Sequence, residues 1–432
     1  MRISGDEYFE GGLTLDDTLL IVPRLEATGQ LDFIHVGAGP GAASHIPPSY
    51  RKAGSFVYLT EAIRKVTDLA LICSQRVNDP LIAESVLASG AADLVSMNRA
   101  IMTDPEMPTK AREGRLEEIR HCIACNECIA RGRIGMPIAC TMNAELGREQ
   151  QMAIEKTDTP RHVLVVGGGP AGLEAARVAS LRGHRVTLYE KGDTLGGQPL
   201  IASQAPGREE LDEVRRYYTY QMGLQEVDVH LNKEATYETI EQEAPDAVVI
   251  ATGSRVILSE LTADDVPVVD VRTILSGEAD IEPGQRVVLQ AEDHHMQGLT
   301  AADFLVEKGC EVQVLTEAVY AGSQIETGTL ETLYQRLLTK GVTLTPLTTI
   351  KLIDGRTVVT ENTISKAEAR IQGVVMIVAS YGNEASDELY REVKSDADST
   401  SNTPALYLVG DASAPRRLMD AILDGARVGR IL

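Results

Sequence analysis

The chain has 432 residues, 43% of them hydrophobic, enough apolar material for two to four cored domains. Its 41 Lys and Arg stand against 63 Asp and Glu, a net charge of −22 that disfavours nucleic acid and anionic membranes as partners, since binding either takes cations to displace counterions. No apolar run approaches the roughly 20 residues that span a bilayer, and the opening MRISGDEYFE lacks the basic, apolar and small-residue order of a signal peptide, so the expected location is the cytoplasm.

Residues 1 to about 120 repeat a strand-then-helix rhythm four times. The predicted strands are Arg2 to Gly5, Phe33 to Val36, Ala70 to Ser74 and Leu94 to Asn98, with amphipathic helices near 16–28, 56–67, 80–89 and 105–113. Four βα units are half of a (β/α)8 barrel, and a closed one takes about 250 residues. The fold expected is thus α/β, with the C-terminal half of a barrel in residues 1–120. Its two open sheet edges call for a companion chain that completes the barrel, a truncated product, or another cover. The last two predicted strands end in CSQRVND and SMNRAIMTDP, placing Arg76 and Arg99 where barrels of this kind hold phosphate.

Residues 121–158 form the next segment, where HCIACNECIARGRIGMPIAC holds four of the six cysteines. Cys122, Cys125, Cys128 and Cys140 have the spacing C-x2-C-x2-C-x11-C. Zinc sites usually set two C-x2-C pairs on separate knuckles, whereas three cysteines in one run suit the corner of a cubane. The spacing points to a [4Fe–4S] cluster ahead of structural zinc or free thiols. In a reducing compartment disulfides are not expected.

Residues 159–432 read as a two-part Rossmann-like region. The run His162 to Val166 leads into Gly167-x-Gly169-x-x-Gly172 and a helix ending near Gly183; a second strand, Val186 to Tyr189, ends at Glu190, 18 residues past Gly172. Glycines permit the turn and close backbone approach, the helix N-terminus at Pro170 and Ala171 faces a pyrophosphate, and the acid accepts from ribose hydroxyls. Lys191, the LGGQ stretch with Gly197 and Gln198, DAVVIATGS with Thr252 and Gly253, and ALYLVGDASAP with Asp411 complete a site for FAD, or for its ADP portion. An inserted second unit, about 260–375, keeps the strand–loop–helix–strand order, but Gln290 to His295 replace the expected glycine loop. Two carboxylates without glycine make a poor pyrophosphate seat, so this unit is expected to have lost NAD(P)H binding, with its vicinal histidines in a solvated loop. Tyr217, Tyr218 and Tyr220 read as an amphipathic helix face.

This order of parts resembles the trimethylamine dehydrogenase and 2,4-dienoyl-CoA reductase branch of the old yellow enzyme (NADH:flavin oxidoreductase) family over residues 1–432, without that family's first four βα units. RISGDE, GGLTLDD, AADLVSMNRAIMTDPEMPTKAREGRLEEIRHCIACNEC and VGDASAPRRLMDAILDGARVG carry the likeness. The resemblance implies FMN in the completed barrel, one [4Fe–4S] cluster, and FAD or ADP in the following region. It matches Cys122, Cys125, Cys128 and Cys140 to cluster ligands and Arg2 to a flavin-ring contact. It matches Gln75-Arg76 and Asn98-Arg99 to phosphate-side Gly-Arg steps, with both glycines replaced here. The family's active-site tyrosine and histidine belong to the other barrel half, so no catalytic residue is assigned. Amine dehydrogenases carry an aspartate after the sixth strand, where HVGAGPGAASH has no carboxylate.

The function expected is an iron–sulfur flavoprotein oxidoreductase subunit of the amine dehydrogenase or N-demethylase kind. Its partners would be a small amine and a protein acceptor like an electron-transferring flavoprotein. The alternatives are a non-catalytic electron-transfer or structural subunit, and an NAD(P)H-dependent enoate reductase.

Overall fold

The computed structural model describes residues 1–39, 46–258, 265–397 and 404–432. It contains two compact units: Met1–Leu146 with Glu326–Leu333, and Gly147–Ile325 with Tyr334–Leu432. Among the described residues no helix is long and apolar enough to cross a membrane.

The first unit holds a four-stranded, wholly parallel sheet in chain order: Arg2–Ser4, Phe33–Gly37, Ala70–Cys73 and Leu94–Val95. Alternation in Phe33–Gly37 sends Ile34 and Val36 into a core with Val22, Leu59, Ile63 and Leu71, and leaves His35 on the opposite face. Helix Leu15–Glu26 starts at a capping box between Thr14 and Asp17, and helix Pro80–Ala88 starts from an Asp79 cap with proline in its first turn. The fourth strand is shorter than its sequence predicts. It stops at Val95, and Asn98 opens a separate helix, Asn98–Thr103, whose Arg99 donates to Pro47 O at 3.0 Å.

The second unit has two parallel five-stranded sheets. In the first, His162–Val166 lies between Ala247–Ile250 and Arg185–Tyr189, with Ala405–Leu408 and Asp228–His230 at the edges. Helix Pro170–Arg182 crosses this sheet and ends at Gly183 (φ +100°). Helix Leu418–Ile431 packs on it through Gly425 and Gly429, where a Cβ would come within 2.2 Å of Ala171 O and 2.7 Å of Val178 Cβ. In the second sheet, Arg286–Ala291 lies between Val374–Ser380 and Glu311–Leu315. A three-stranded antiparallel sheet, 348–372, belongs to the same part of the chain. Tyr217 and Tyr218 are buried on helix Glu213–Leu224, whereas Tyr220, expected on the same face, is exposed.

Candidate functional site: two adjoining cavities and a dinucleotide turn

The ends of the four parallel strands surround a cavity of about 210 Å³. Arg2, Gln75, Arg76, Asn98 and Arg99, singled out from the sequence, all line it. Gln75 and Arg76 both have left-handed backbones, at φ +72° and +55°. A glycine would take that conformation freely, so the turn persists here although glutamine occupies it. Its hydrogen bonds hold it: Gln75 Nε2 donates to Ala38 O at 3.0 Å, and the buried Arg76 Nε donates to Arg51 O at 2.7 Å.

His35 is the residue that sequence reading missed. It pairs in register with Arg2 and lines the same cavity. Burial, then the charge of Arg2, pushes its imidazole below the usual histidine range, and its buried Nε2 has no hydrogen-bond partner among the described residues. The two-residue alternation of FIHVG was the signal that placed it across the sheet from Ile34 and Val36. The segment Pro40–His45, within HVGAGPGAASH, lies outside the described residues.

Beside this cavity lies a smaller one lined by Cys122, Cys125, Cys128 and Cys140 together with Arg99 and Asn126. The loop is wound tightly by left-handed backbones at Ala124 (φ +46°) and Asn126 (φ +60°), and Cys128 sits in a short helix, Glu127–Arg133. Hydroxyls back two of the sulfurs: Thr141 Oγ1 lies 3.2 Å from Cys125 Sγ, and Thr103 Oγ1 lies 3.4 Å from Cys140 Sγ. The Ala124 N–H donates to Cys122 Sγ at 3.4 Å. Burial drives the Cys122 and Cys125 thiols up and takes Cys128 to about 12, while the Arg99 cation opposes the shift at Cys122 and Cys128. Among the described residues no three His, Cys, Asp or Glu side chains are grouped so as to share one metal ion.

In the second unit the turn Gly167–Gly172 divides its glycine roles. A Cβ on Gly167 would meet Ala251 O at 2.3 Å, and one on Gly172 would meet Gly167 O at 2.0 Å, so both permit backbone contact. Gly169 has nothing within 4 Å and opens toward the space in which a pyrophosphate would approach Pro170 and Ala171 at the helix N-terminus. Glu190 accepts from the Gly168 and Gly192 N–H groups, each at 2.7 Å, so its carboxylate is fixed beside the turn; Lys191 follows it. Gly197, at φ +61°, brings its backbone close to Gly169. Gln198 Nε2 donates to Asp411 Oδ2 at 2.9 Å and to Ser254 Oγ at 3.0 Å, and Ser254 in turn donates to Asp411. Thr252 bonds Ser386 O, and Gly253 (φ +79°) turns the chain into Ser254. Arg272, which donates to Ser254 O at 2.8 Å and Asn383 Oδ1 at 3.1 Å, joins this group from the inserted unit without any local signal.

The segment Gln290 to His295 begins inside a strand, and its loop proper, with half-buried His294 and His295, is residues 292–295. Gln290 is fully buried and bonds Thr348 O and the Ile350 N–H, because it belongs to the central strand. Asp293 accepts from the N–H groups of His295, Gln297 and Gly298 at 3.0–3.1 Å and from Ser380 Oγ at 2.9 Å. A side-chain carboxylate therefore occupies the anion position at the start of helix Gln297–Glu307.

These features define a flavin oxidoreductase assembled from two known parts. Residues 1–118 match the NADH:flavin oxidoreductase / NADH oxidase family, and residues 161–425 match the pyridine nucleotide-disulphide oxidoreductase family. An N,N-dimethylglycine/sarcosine dehydrogenase of Chromohalobacter salexigens is 33% identical over 99% of this chain and 68% of its own length. An NADH oxidase of Thermoanaerobacter brockii is 36% identical over 73% of this chain and 49% of its own. Among solved structures, a 2-naphthoyl-CoA reductase complex superposes with a TM-score of 0.91 at 29% identity, and histamine dehydrogenase from Rhizobium sp. 4-9 with 0.91 at 26%; each match covers 100% of this chain and 65% of that one. The chain belongs to the old yellow enzyme family of flavin-dependent oxidoreductases, in the trimethylamine dehydrogenase-like branch, and spans about two thirds of the length of these structures.

Proposed function

We propose that this chain carries the cluster-bearing part of a flavin- and iron–sulfur-dependent amine dehydrogenase or N-demethylase. One observation carries the reading: Cys122 and Arg99 line both the thiol cavity and the strand-end cavity, so the two sites share a wall. Bound in those cavities, FMN would accept hydride from the carbon next to an amine nitrogen, and a [4Fe–4S] cluster would transfer electrons singly.

The residues present fit both groups. Four thiols converge on one cavity, with hydroxyl and N–H donors on three of the sulfurs. A zinc ion with Zn–S near 2.3 Å would hold its sulfurs within about 3.8 Å of one another. Three cysteines in one C-x2-C-x2-C run with a fourth from a later segment suit a cubane, in which each thiolate binds its own iron. In the neighbouring cavity Arg76 and Arg99 would hold the flavin phosphate, with Gln75 and Asn98 beside them, while Arg2 and His35 would face the ring. A neutral His35 can accept a hydrogen bond from flavin or substrate. In residues 159–432 the Gly167–Gly172 turn, Glu190 and the Gln198–Asp411 pair would hold FAD or ADP. A closed barrel takes four more βα units, whether on this polypeptide or on a companion chain. Electrons would leave to a protein acceptor of the electron-transferring flavoprotein kind.

The amine-acting relatives support this reading; besides the dimethylglycine dehydrogenase they include a probable N-methylproline demethylase of Rhizobium meliloti, 32% identical over 99% of this chain. The NADH oxidase favours a second reading, an NAD(P)H-dependent enoate reductase. Against that reading stands the Asp293 carboxylate, which fills the pyrophosphate position of the second unit.

The deciding experiment is anaerobic purification with iron, sulfide and nucleotide counts, followed by attempted bleaching of the flavin. Bleaching by a dimethylated amino acid and not by NADH or NADPH is the expected result. Rapid bleaching by either nicotinamide cofactor sinks the amine reading in favour of the second.

A further inference from the structure

We infer that Asn126 couples occupation of the thiol cavity to anion binding in the neighbouring cavity, acting through Arg99. The inference rests on the proposal that the larger cavity takes FMN by its phosphate.

Asn126 lies between Cys125 and Cys128 and is 1% exposed. Its backbone is left-handed at φ +60°, a conformation asparagine tolerates better than most residues. The side-chain amide is used at both ends. Oδ1 accepts from Arg99 Nη1 at 2.6 Å, while Nδ2 donates to Ile46 O at 3.0 Å and faces Glu326 Oε2 at 3.4 Å. Glu326, itself 9% exposed, is held by the Gly328 and Thr329 N–H groups at 3.0 and 2.9 Å and by Arg133. One amide thus ties the cysteine loop, the start of helix Thr327–Thr339 and the loop at Ile46 to a single arginine.

Arg99 is the residue through which this anchoring reaches a ligand. It lines both cavities, and its two hydrogen bonds among the described residues, to Pro47 O at 3.0 Å and to Asn126, both run through Nη1. Among the described residues Nη2 and Nε make no hydrogen bond, and they would meet an anion in a fork whose direction Asn126 sets. Because the cysteines on either side of Asn126 would be fixed by the bound cluster, loading the thiol cavity fixes the amide, and the amide fixes the guanidinium. A coupling free energy of this kind is reciprocal: whatever the cluster adds to phosphate affinity, phosphate adds to cluster retention.

The test uses the full chain, with iron in place and after anaerobic removal by a chelator, titrated with FMN and with riboflavin, which has no phosphate. The expected result is FMN affinity about ten-fold higher in the iron-loaded protein, riboflavin affinity equal in both, and no FMN difference in Asn126→Gly. Glycine takes φ +60° without cost, so this variant removes the amide and keeps the loop. Reciprocity supplies a second readout: saturating FMN should slow iron release to the chelator in the natural sequence and leave it unchanged in Asn126→Gly. FMN binding that ignores iron, a riboflavin difference as large as that for FMN, or a coupling that survives Asn126→Gly overturns the inference and leaves the flavin site standing. Failure of FMN to bind in either state overturns the flavin assignment, and the coupling with it.

Discussion

The Gly298 N–H donates to Asp293 Oδ1 at 3.1 Å, so the second nucleotide-binding unit carries its own anion where a ligand's phosphate would sit. The bond has both a functional and a structural consequence, and they can be separated. NADH should show no saturable binding at this unit by calorimetry. Asp293→Ala should lower unfolding stability by about 1 kcal/mol, as loss of a helix cap does. Tight NADH binding by the natural sequence, with Asp293 in place, would show that the carboxylate is no obstacle.

The first dinucleotide turn allows a cleaner pair of variants. Gly172→Ala places a methyl 2.0 Å from Gly167 O and should destabilise the protein by about 1–3 kcal/mol, or more if the helix cannot shift. Gly169→Ala meets nothing within 4 Å and has an ordinary backbone at φ −80°. It should keep the melting temperature and still weaken adenine nucleotide binding at least ten-fold, by blocking close phosphate approach. Equal nucleotide affinity in Gly169→Ala and the natural sequence would move the binding site elsewhere.

Each cysteine of the cavity should be needed for metal retention. Cys125→Ser should lose most of the iron and the broad visible absorption, whereas Cys310→Ser, at a cysteine far along the chain in the second unit, should keep both. Retention of one zinc per chain with no sulfide would instead assign the site to structural zinc.

Besides His35, two depressed histidines of the second unit link its folding to pH. Burial depresses both His162, whose Nε2 lies 3.1 Å from Thr187 Oγ1, and His184, whose Nδ1 accepts from the Arg161 N–H at 3.1 Å. Below the ordinary histidine value near 6.5 the unfolded chain takes up protons that the folded chain refuses. Stability should therefore be complete above that pH and decline as pH falls beneath it. His184→Gln should flatten the decline in denaturant titrations between pH 7.5 and 5; an unchanged slope would remove His184 from the linkage.

The buried pair Glu174–Arg177, with side chains 2% and 8% exposed, lies on helix Pro170–Arg182. Removing one partner should be worse than removing both. Glu174→Ala should cost about 3–5 kcal/mol by stranding the guanidinium, and the double change to Leu and Met should recover most of that. A double variant no more stable than Glu174→Ala would contradict this.

The elements legible in the sequence are those set by local pattern. Alternation and turn residues placed His162–Val166, Arg185–Tyr189 and the first three short strands within a residue or two of their positions. The misread stretches are those where a distant partner decides. Asn98 starts a helix that carries Arg99 to Pro47 and Asn126, and Gln290 lies in a central strand bonded to Ile350, 60 residues on. His35 was legible in principle from the alternation of FIHVG, but only its register with Arg2 shows which cavity it enters.

Spacing by itself brought four thiols together and marked Gly167–Gly172 as a strand-to-helix turn, because each signal lies within one stretch short enough for a single loop or turn to close. Tertiary structure alone decided that Cys122 and Arg99 stand in a wall between two cavities, that Asp293 fills an anion seat, and that Glu326 reaches Asn126 across 200 residues of chain. Periodicity records which face of an element is buried. Contacts between distant segments depend on how whole units pack, and no local pattern records that.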